Sequence, residues 1–458
     1  MGKLRFLAAL WAAKLSRPVL KLTRHNGTNF PGELAIKLCP DFLKYIGKPE
    51  TIISVTGTNG KTTVNNMVCD IFEAAGKTVL DNRAGSNINS GIATSLIVGA
   101  TLFGRAKYDT AVFETDERSA LRIYPWVRPK YILMTNLFRD SIMRNGHPEF
   151  IADILTAYIP KESKLILNAD DLISCSVAPD NDRVYYGIEK LDSDRTECIN
   201  LINDMRICPK CAGKLEYDYL RYHHIGRARC SACGFTSPPY DYSGREIDYA
   251  AGTVTIADKA GSGVYALVND SIFNIYNMVA VAALFREMGM PHEKLTEYMK
   301  HAKVVETRYR ELDVGKIRII TQLAKEKNAL AITRAFDYIR GLPGPKKVLL
   351  MMNCLNDEKH WSENTCWMYD CDFEFLNDPQ IGQIVVSGPR ARDYRLRLLF
   401  AGVPDSRILC LPDELEGARQ IDFSPGDMVC IFHGVDSFAV TQKVLEIISR
   451  RAEEACAE

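Results

Sequence analysis

A chain of 458 residues is too long for one ordinary hydrophobic core and predicts roughly two to four domains. Hydrophobic residues at 47% and charged ones at 25% give the balance of a soluble globular protein. Lys plus Arg equals Asp plus Glu at 57 each, which excludes a global field that would select nucleic acid or an anionic surface. Any charged partner must be met by a local patch.

No run of about 18 apolar residues occurs, so no segment reads as a membrane span. Lys3 and Arg5 precede an apolar stretch over 6–13 that superficially resembles a short secretory signal. Lys14 and Arg17 interrupt it, and basic residues recur at Lys21 and Arg24. Residues 3–22 therefore predict an amphipathic helix, either packed with a solvated basic face or in weak contact with a membrane surface.

Thr51-Ile-Ile-Ser-Val55 is a β-branched apolar run and predicts a buried strand. A glycine-containing loop follows at 56–63, then helical spacing from Val64 to Ala75, stopped by Gly76. Further strands are predicted at 77–80, 108–113, 129–135 and 164–168. The strand at 108–113 runs into Glu114, Asp116 and Glu117; the last two end in Asn136 and in Asn168-Ala-Asp170-Asp171. Strands alternating with helices predict a parallel, doubly wound sheet with ligands at the strand C-termini. Residues 198–245 break that rhythm, and a helix resumes from Ser271 to Gly289. A domain boundary is expected near 306–315, followed by strands at 347–352, 383–387 and 427–432 in a smaller α/β domain. The expected division is 1–45, a helical or extended segment; 46–306, the central domain with an insertion at about 198–245; and 307–458.

Thr56-Gly57-Thr58-Asn59-Gly60-Lys61-Thr62-Thr63 stands between a strand and a helix. A turn there aims backbone N–H groups and the positive helix end at one point, which suits a polyphosphate. Gly57 and Gly60 permit close approach, Lys61 supplies a charge for the β- and γ-phosphates, and the Thr62 hydroxyl can ligate Mg²⁺. Val55 occupies the first glycine position of the longer phosphate-loop pattern, leaving the shorter G-T-x-G-K-T form. Among the carboxylates past the third strand, Glu114 is the first candidate for the metal, ahead of Asp116 and Glu117.

Four of the fourteen cysteines form two pairs, Cys208-Pro-Lys-Cys211 and Cys230-Ser-Ala-Cys233. That spacing predicts a closed Cys₄ site holding structural Zn²⁺ in a ribbon. Gly213 and Gly234 suit the two turns. His223 and His224 are rival ligands, but four thiolates already fill the shell; a redox dithiol would need only one pair. The remaining cysteines predict reduced thiols and a cytoplasmic chain.

Gly57-Thr-Asn-Gly-Lys-Thr-Thr63, Glu114, Asn274-Ile-Tyr-Asn277 and Arg308, in that order, resemble the Mur ligase family. The resemblance implies a Mur-ligase-like α/β fold, with ATP and Mg²⁺ bound by these residues and the Asn pair and Arg308 seating the nucleotide. It implies catalytic roles for Lys61, Glu114 and Arg308. More narrowly the chain is similar to the MurT branch, the ligase subunits of lipid II isoglutaminyl synthases. Asn26-Gly-Thr-Asn-Phe-Pro-Gly32, Arg83-Ala-Gly-Ser-Asn87, Glu114-Thr-Asp-Glu117, Asn136-Leu-Phe-Arg-Asp140 and the Cys₄ ribbon carry that similarity.

Such enzymes amidate the α-carboxylate of D-glutamate in the lipid II stem peptide through an acyl phosphate. Their ammonia comes from a GatD-like glutamine amidotransferase partner. The branch carries Asp-Gly-x-Asp upstream of Trp-x-Trp-Asp; here the stretch reads Trp361-Ser-Glu-Asn364, with Trp367-Met-Tyr-Asp370 after it. Asp357 and Glu363 are nearby carboxylates outside the motif. Thr307-Arg308 replaces the usual Gly-Arg, and Ala324-Lys-Glu-Lys-Asn328 departs from Lys-Asn-Pro. Two other expectations stand beside amidation: a Mur-type ligase joining an amino acid or other amine to a cell-wall precursor, and a non-catalytic scaffold that binds ATP.

Overall fold

The computed structural model describes residues 2–22, 28–83, 85–139, 147–302, 309–324, 328–352, 355–356, 361–362, 365–434 and 437–457. The chain forms two compact units, one of Met1–Phe138, His147–Ile199 and Asn203–Val304, the other of Arg139–Gly146, Asn200–Ile202 and Val305–Glu458.

The first unit opens with helices α1 (Gly2–Leu22), α2 (Phe30–Leu38) and α3 (Phe42–Tyr45). Its strands are β1 (Thr51–Thr56), β2 (Leu80–Asp81), β3 (Thr110–Glu114), β4 (Tyr131–Met134), β5 (Lys164–Asn168), β6 (Arg183–Ile188), β7 (Leu215–Tyr222), β8 (Ile225–Cys230), β9 (Tyr242–Asp248), β10 (Thr253–Asp258) and β11 (Gly261–Ala266). Between them run α4 (Lys61–Ala74), α5 (Asn89–Val98), α6 (Ala120–Ile123), α7 (Pro148–Tyr158) and α8 (Leu172–Ser176), with α9 (Ile272–Glu287) and α10 (His292–Met299) last. Nine strands make one sheet in the order β11-β10-β9-β6-β5-β4-β1-β3-β2. It is parallel from β2 through β9, and β10 and β11 add an antiparallel edge.

The strand expected at 77–80 is reduced to Leu80–Asp81 at the sheet edge, pairing only through Leu80↔Ala111 and Asp81↔Val112. The cause is local: Gly76 ends α4 at φ +71, and the N–H groups of Gly76 and Lys77 return to the carbonyls of Glu73 and Phe72. Lys77 is thereby committed to the helix terminus. One core joins α1, α2 and α5 to the sheet through Phe6, Leu10, Ala35, Ile92, Leu96, Ile52, Phe113 and Ile132. Helix α9 is apolar all round and fully enclosed, every residue from Ile275 to Phe285 being buried. β7 and β8 stand apart as a two-stranded hairpin.

The second unit contains β12 (Tyr309–Val314), β13 (Ile317–Leu323), α11 (Ala329–Gly341), β14 (Lys346–Met351), β15 (Leu355–Asn356), β16 (Trp361–Ser362) and β17 (Ile381–Ser387). Helix α12 (Ala391–Phe400), β18 (Ile408–Leu411), α13 (Glu414–Gln420), β19 (Met428–His433) and α14 (Phe438–Ala457) complete it. Its six-stranded sheet, β12-β13-β19-β14-β17-β18, is parallel except for β12. Separate cores cover its two faces, one with Phe336, Phe373, Tyr394 and Phe432, the other with Leu349, Ile431, Val444 and Ile448. This is the α/β class expected from sequence. Among the described residues no helix is long and apolar enough to cross a membrane.

Candidate active site

The C-terminal ends of β1, β3, β4 and β5 deliver the loop at 56–63, Glu114, Asn136 and Asn168 to one edge of the first unit's sheet. The loop's shape is set by its own backbone N–H groups. That of Gly57 donates to Glu117 Oε1 at 2.9 Å, that of Thr58 to the Asn136 carbonyl at 2.7 Å, and that of Asn59 to Asn136 Oδ1 at 3.1 Å. Asn136 Nδ2 returns a bond to the Asn59 carbonyl at 3.0 Å. The donors left for a phosphate are those at the start of α4, which have no acceptor within a helix.

Gly57 (φ +121) and Gly60 (φ +90) both need the left-handed region. A β-carbon at Gly57 would lie 2.3 Å from Thr135 Oγ1, and one at Gly60 would lie 2.6 Å from Asn277 Oδ1. Asn277 thus packs against the turn, and its Nδ2 donates to Asn274 Oδ1 at 3.2 Å. Asn274 in turn donates to Asn269 Oδ1 at 2.9 Å. The sequence-expected Asn pair therefore lies beside the loop.

Lys61 Nζ donates to Glu117 Oε1 at 2.7 Å, to the Gly57 carbonyl, and to the Thr58 carbonyl at 3.4 Å. Burial works to lower the Lys61 pKa, but Glu117 more than restores it and holds the ammonium charged. The same burial pushes the Glu117 carboxyl up against the pull of Lys61. Glu117 is 6% exposed at its side chain and serves the loop and the lysine. Asp116 accepts from the Ser119 N–H at 3.0 Å and caps a short turn. Glu114 stands differently: its Oε2 accepts from Thr62 Oγ1 at 2.9 Å, and its Oε1 from Asn87 Nδ2 at 2.9 Å. Asn82 fixes its backbone from both sides, at 2.9 Å each.

Thr62 and Glu114 fit a hard dication. Two oxygens 2.9 Å apart match one edge of an octahedron whose metal–oxygen distance is about 2.0–2.1 Å. Arg308, Thr307, Asp357, Glu363, Asn26 and the 325–327 stretch lie outside the described residues.

Behind the loop, Thr58 Oγ1 and the Phe138 backbone bond each other at 2.9 and 3.2 Å. Asp171 Oδ2 accepts from the Leu137 N–H at 2.7 Å, and Asp171 Oδ1 meets His224 Nε2 at 3.2 Å, both side chains wholly buried. The His224 ring lies 4.5 Å from that of Phe138. His223 and His224, weighed above as zinc ligands, are instead the tip of the β7–β8 hairpin. Asp170 accepts from Tyr276 Oη at 2.6 Å and from Tyr240 Oη, with Arg221 at 3.7 Å. Burial pushes the Asp170 carboxyl up, and Arg221 pulls it back. The sequence offered only the strand-end position of these carboxylates; their partners come from 34 to 106 residues away.

At the other end of the hairpin the four cysteine sulfurs all lie within 4.8 Å of one another. Cys208–Cys233 is 3.7 Å and Cys211–Cys230 3.5 Å. A zinc tetrahedron with bonds of about 2.3 Å has an edge near 3.8 Å, so the donor set fits. N–H groups of Lys210 and Gly213 point at Cys208 and Cys211 Sγ, each at 3.4 Å. Burial raises the Cys230 thiol, but N–H bonds from Cys233 and Ala232 outweigh it and bring it to about 7. The left-handed residue of each turn directly follows the second cysteine: Gly234 (φ +71) and Ala212 (φ +57). Gly213, chosen from sequence for that turn, is needed for room instead, since a β-carbon there would lie 3.2 and 3.3 Å from the sulfurs of Cys211 and Cys230.

Comparison with known proteins agrees with this architecture. Residues 55–204 match the Mur ligase middle domain and residues 326–433 the MurT ligase C-terminal domain. The MurT subunit of the glutamine-hydrolysing lipid II isoglutaminyl synthase of Staphylococcus aureus (strain COL) is 30% identical over 404 residues, covering 87% of this chain and 89% of that one. Its counterpart in Streptococcus pneumoniae is 27% identical over 390 residues, 84% of each chain. Among solved structures, a pseudomurein peptide ligase type C from Methanothermus fervidus superposes with a TM-score of 0.65 at 22% identity, covering 89% of this chain and 81% of the other. The chain belongs to the Mur ligase family, in its MurT branch.

Proposed function

We propose that the chain is a cytoplasmic ATP-dependent carbon–nitrogen ligase that amidates the D-glutamate α-carboxylate of the lipid II stem peptide to D-isoglutamine. One observation supports this above the others: similarity to MurT over nearly the whole chain, joined to a loop at 56–63 already folded to receive a polyphosphate. A carboxylate oxygen of the substrate takes the γ-phosphoryl group as ADP leaves. Ammonia then adds to the acyl carbon, and phosphate departs. Bound Mg²⁺ supplies charge for the transferring phosphoryl.

In this reading Gly57, Thr58, Asn59, Gly60, Lys61, Thr62 and Thr63 form the nucleotide cradle. Lys61 exchanges Glu117 for phosphate oxygen, a swap between two anions. Thr62 and Glu114 hold Mg²⁺. Asn277 braces Gly60 and Asn274 extends the brace, while Arg308 completes the phosphate contacts. Cys208, Cys211, Cys230 and Cys233 hold structural Zn²⁺. A GatD-like glutamine amidotransferase subunit supplies ammonia, and peripheral contact with the inner face of the membrane brings the enzyme to its lipid-linked substrate.

The test is incubation with detergent-solubilised lipid II, MgATP and ammonium, followed by mass spectrometry. The expected product is lighter by the difference between OH and NH₂, one ADP forms per product, and Lys61→Ala abolishes both. A product heavier by a whole amino-acid residue would replace the proposal with an amino-acid ligase. Unchanged precursor would overturn it.

A further inference from the structure

We propose that α1 and the loop at 101–105 form a monotopic membrane-docking surface that selects anionic lipid. This deepens the membrane part of the reading above. Helix α1 is apolar on two opposite faces. One, with Phe6, Ala9, Leu10 and Ala13, is buried in the core. The other carries Leu4, Trp11, Leu15, Val19 and Leu22, which are 45–84% exposed. At 3.6 residues per turn those five fall within an arc of about 100°, directly across the helix from the buried set. A packed helix with a polar outer face would not place five large apolar side chains there.

The stripe does not stand alone. Trp11 Nε1 donates to the Leu102 carbonyl at 2.8 Å, and Phe6 packs against Gly104, where a β-carbon would lie 2.7 Å from its ring. These contacts hold Leu102 (63% exposed) and Phe103 (73% exposed) beside the helix. Lys14 Nζ ties the helix to the carbonyls of Ile97 and Ala100 at 2.7 and 2.8 Å, and Arg5 Nε bonds the Leu38 carbonyl at 2.6 Å. The surface is therefore fixed in place.

Charge complementarity names the occupant. Residues 2–22 contain Lys3, Arg5, Lys14, Arg17 and Lys21 and no acid; the first acidic residue of the chain is Glu33. Arg105 and Lys107 add exposed cations beside Phe103, again without an acid from 101 to 107. A chain of zero formal charge thus carries an unbalanced set of cations in the two segments that bear the apolar stripe. A second copy would set cation against cation, which disfavours self-association. A bilayer with anionic headgroups meets both features: acyl chains receive Leu4, Leu15, Leu22 and Phe103, and headgroups receive the basic rim, with Trp11 at the boundary.

The test is sedimentation of the full chain with vesicles. Binding is expected to vesicles of mixed phosphatidylglycerol and phosphatidylcholine, to weaken in high salt, and to be much lower on phosphatidylcholine alone. Leu15→Glu with Phe103→Glu should lower the partition coefficient about a hundredfold, since each exchange removes an apolar side chain whose burial in the bilayer is worth about a factor of ten. Leu4→Glu, at 78% exposure less able to disturb folding than either of those exchanges, should lower it in the same direction. Both variants should keep the parent's ATP affinity and its activity on detergent-solubilised precursor. No sedimentation with either vesicle, sedimentation equal in parent and double variant, or a Leu15-dependent dimer without vesicle binding would overturn the proposal. Activity in detergent is measured separately, so failure to dock and failure to amidate are distinguishable.

Discussion

Removing Lys61 exposes how the nucleotide loop is held before any nucleotide arrives. Lys61→Ala leaves the Glu117 carboxylate, 6% exposed, with the Gly57 N–H as its remaining loop contact. Breaking one partner of a buried ion pair costs about 3–5 kcal/mol, because the survivor stays charged without water. Lys61→Ala with Glu117→Ala removes both charges and leaves mainly an unpaired Gly57 N–H, worth about 1–3 kcal/mol. The double variant should therefore be more stable than the single one, with a coupling energy of about 2 kcal/mol or more.

The single variant's deficit should also depend on pH. Without Lys61 the upward push of burial on the Glu117 carboxyl loses its largest offset. A carboxyl whose folded pKa is raised contributes its full stability below its unfolded value and loses it as pH rises through the folded value. The deficit of Lys61→Ala relative to the parent should accordingly grow from pH 5 to pH 8. Equilibrium urea unfolding of parent, singles and double at the two pH values measures all of this. Additive costs together with a pH-independent deficit would refute the buried-pair account.

Other expectations follow from other parts of the site. Gly60→Ala forces a left-handed alanine against Asn277 Oδ1, so calorimetry should show ATP affinity lowered at least about tenfold; a parental Kd would contradict the cradle geometry. Cys208→Ser should lower bound zinc from one ion per chain, read by atomic emission, and make the hairpin at 215–230 sensitive to protease. Unchanged metal content would remove the Cys₄ assignment. Asp170→Ala removes the buried carboxylate to which Tyr240 and Tyr276 donate and leaves Asp194 as the carboxylate paired with Arg221; a loss of about 3 kcal/mol in urea unfolding is expected, with Asp170→Asn milder.

What was legible in the sequence was chemistry packed into a few consecutive residues. The turn at 56–63 carries its meaning locally, since two glycines, a lysine and a threonine between a strand and a helix suit only a few ligands. The paired cysteines are equally self-contained. The roles of Glu114, Asp116 and Glu117 were not: on paper they are three carboxylates in one loop. Packing separates them, burying Glu117 on Lys61, turning Asp116 into a cap and leaving Glu114 at Thr62. β9 and β11 escaped notice because Gly, Ser and, in β9, charged residues weaken their strand pattern, and their pairing with the β-branched β10 rather than their composition makes them strands. Ala212 shows the same limit on a smaller scale, for the turn after Cys208–Cys211 imposes a conformation that the residue type does not advertise.

The β7–β8 hairpin is anchored at its two ends by unlike chemistry. Sulfur holds one end, with Cys211 open to solvent; an enclosed imidazole and carboxylate hold the other, against the segment that backs the glycine turn. An oxidant or a chelator can reach only the sulfur end. Damage must then travel the length of the hairpin, eight residues or roughly 25 Å, before it touches the segment behind the glycine turn at 56–63. Such a molecule wears from the outside inward, and its nucleotide grip should be the last thing lost.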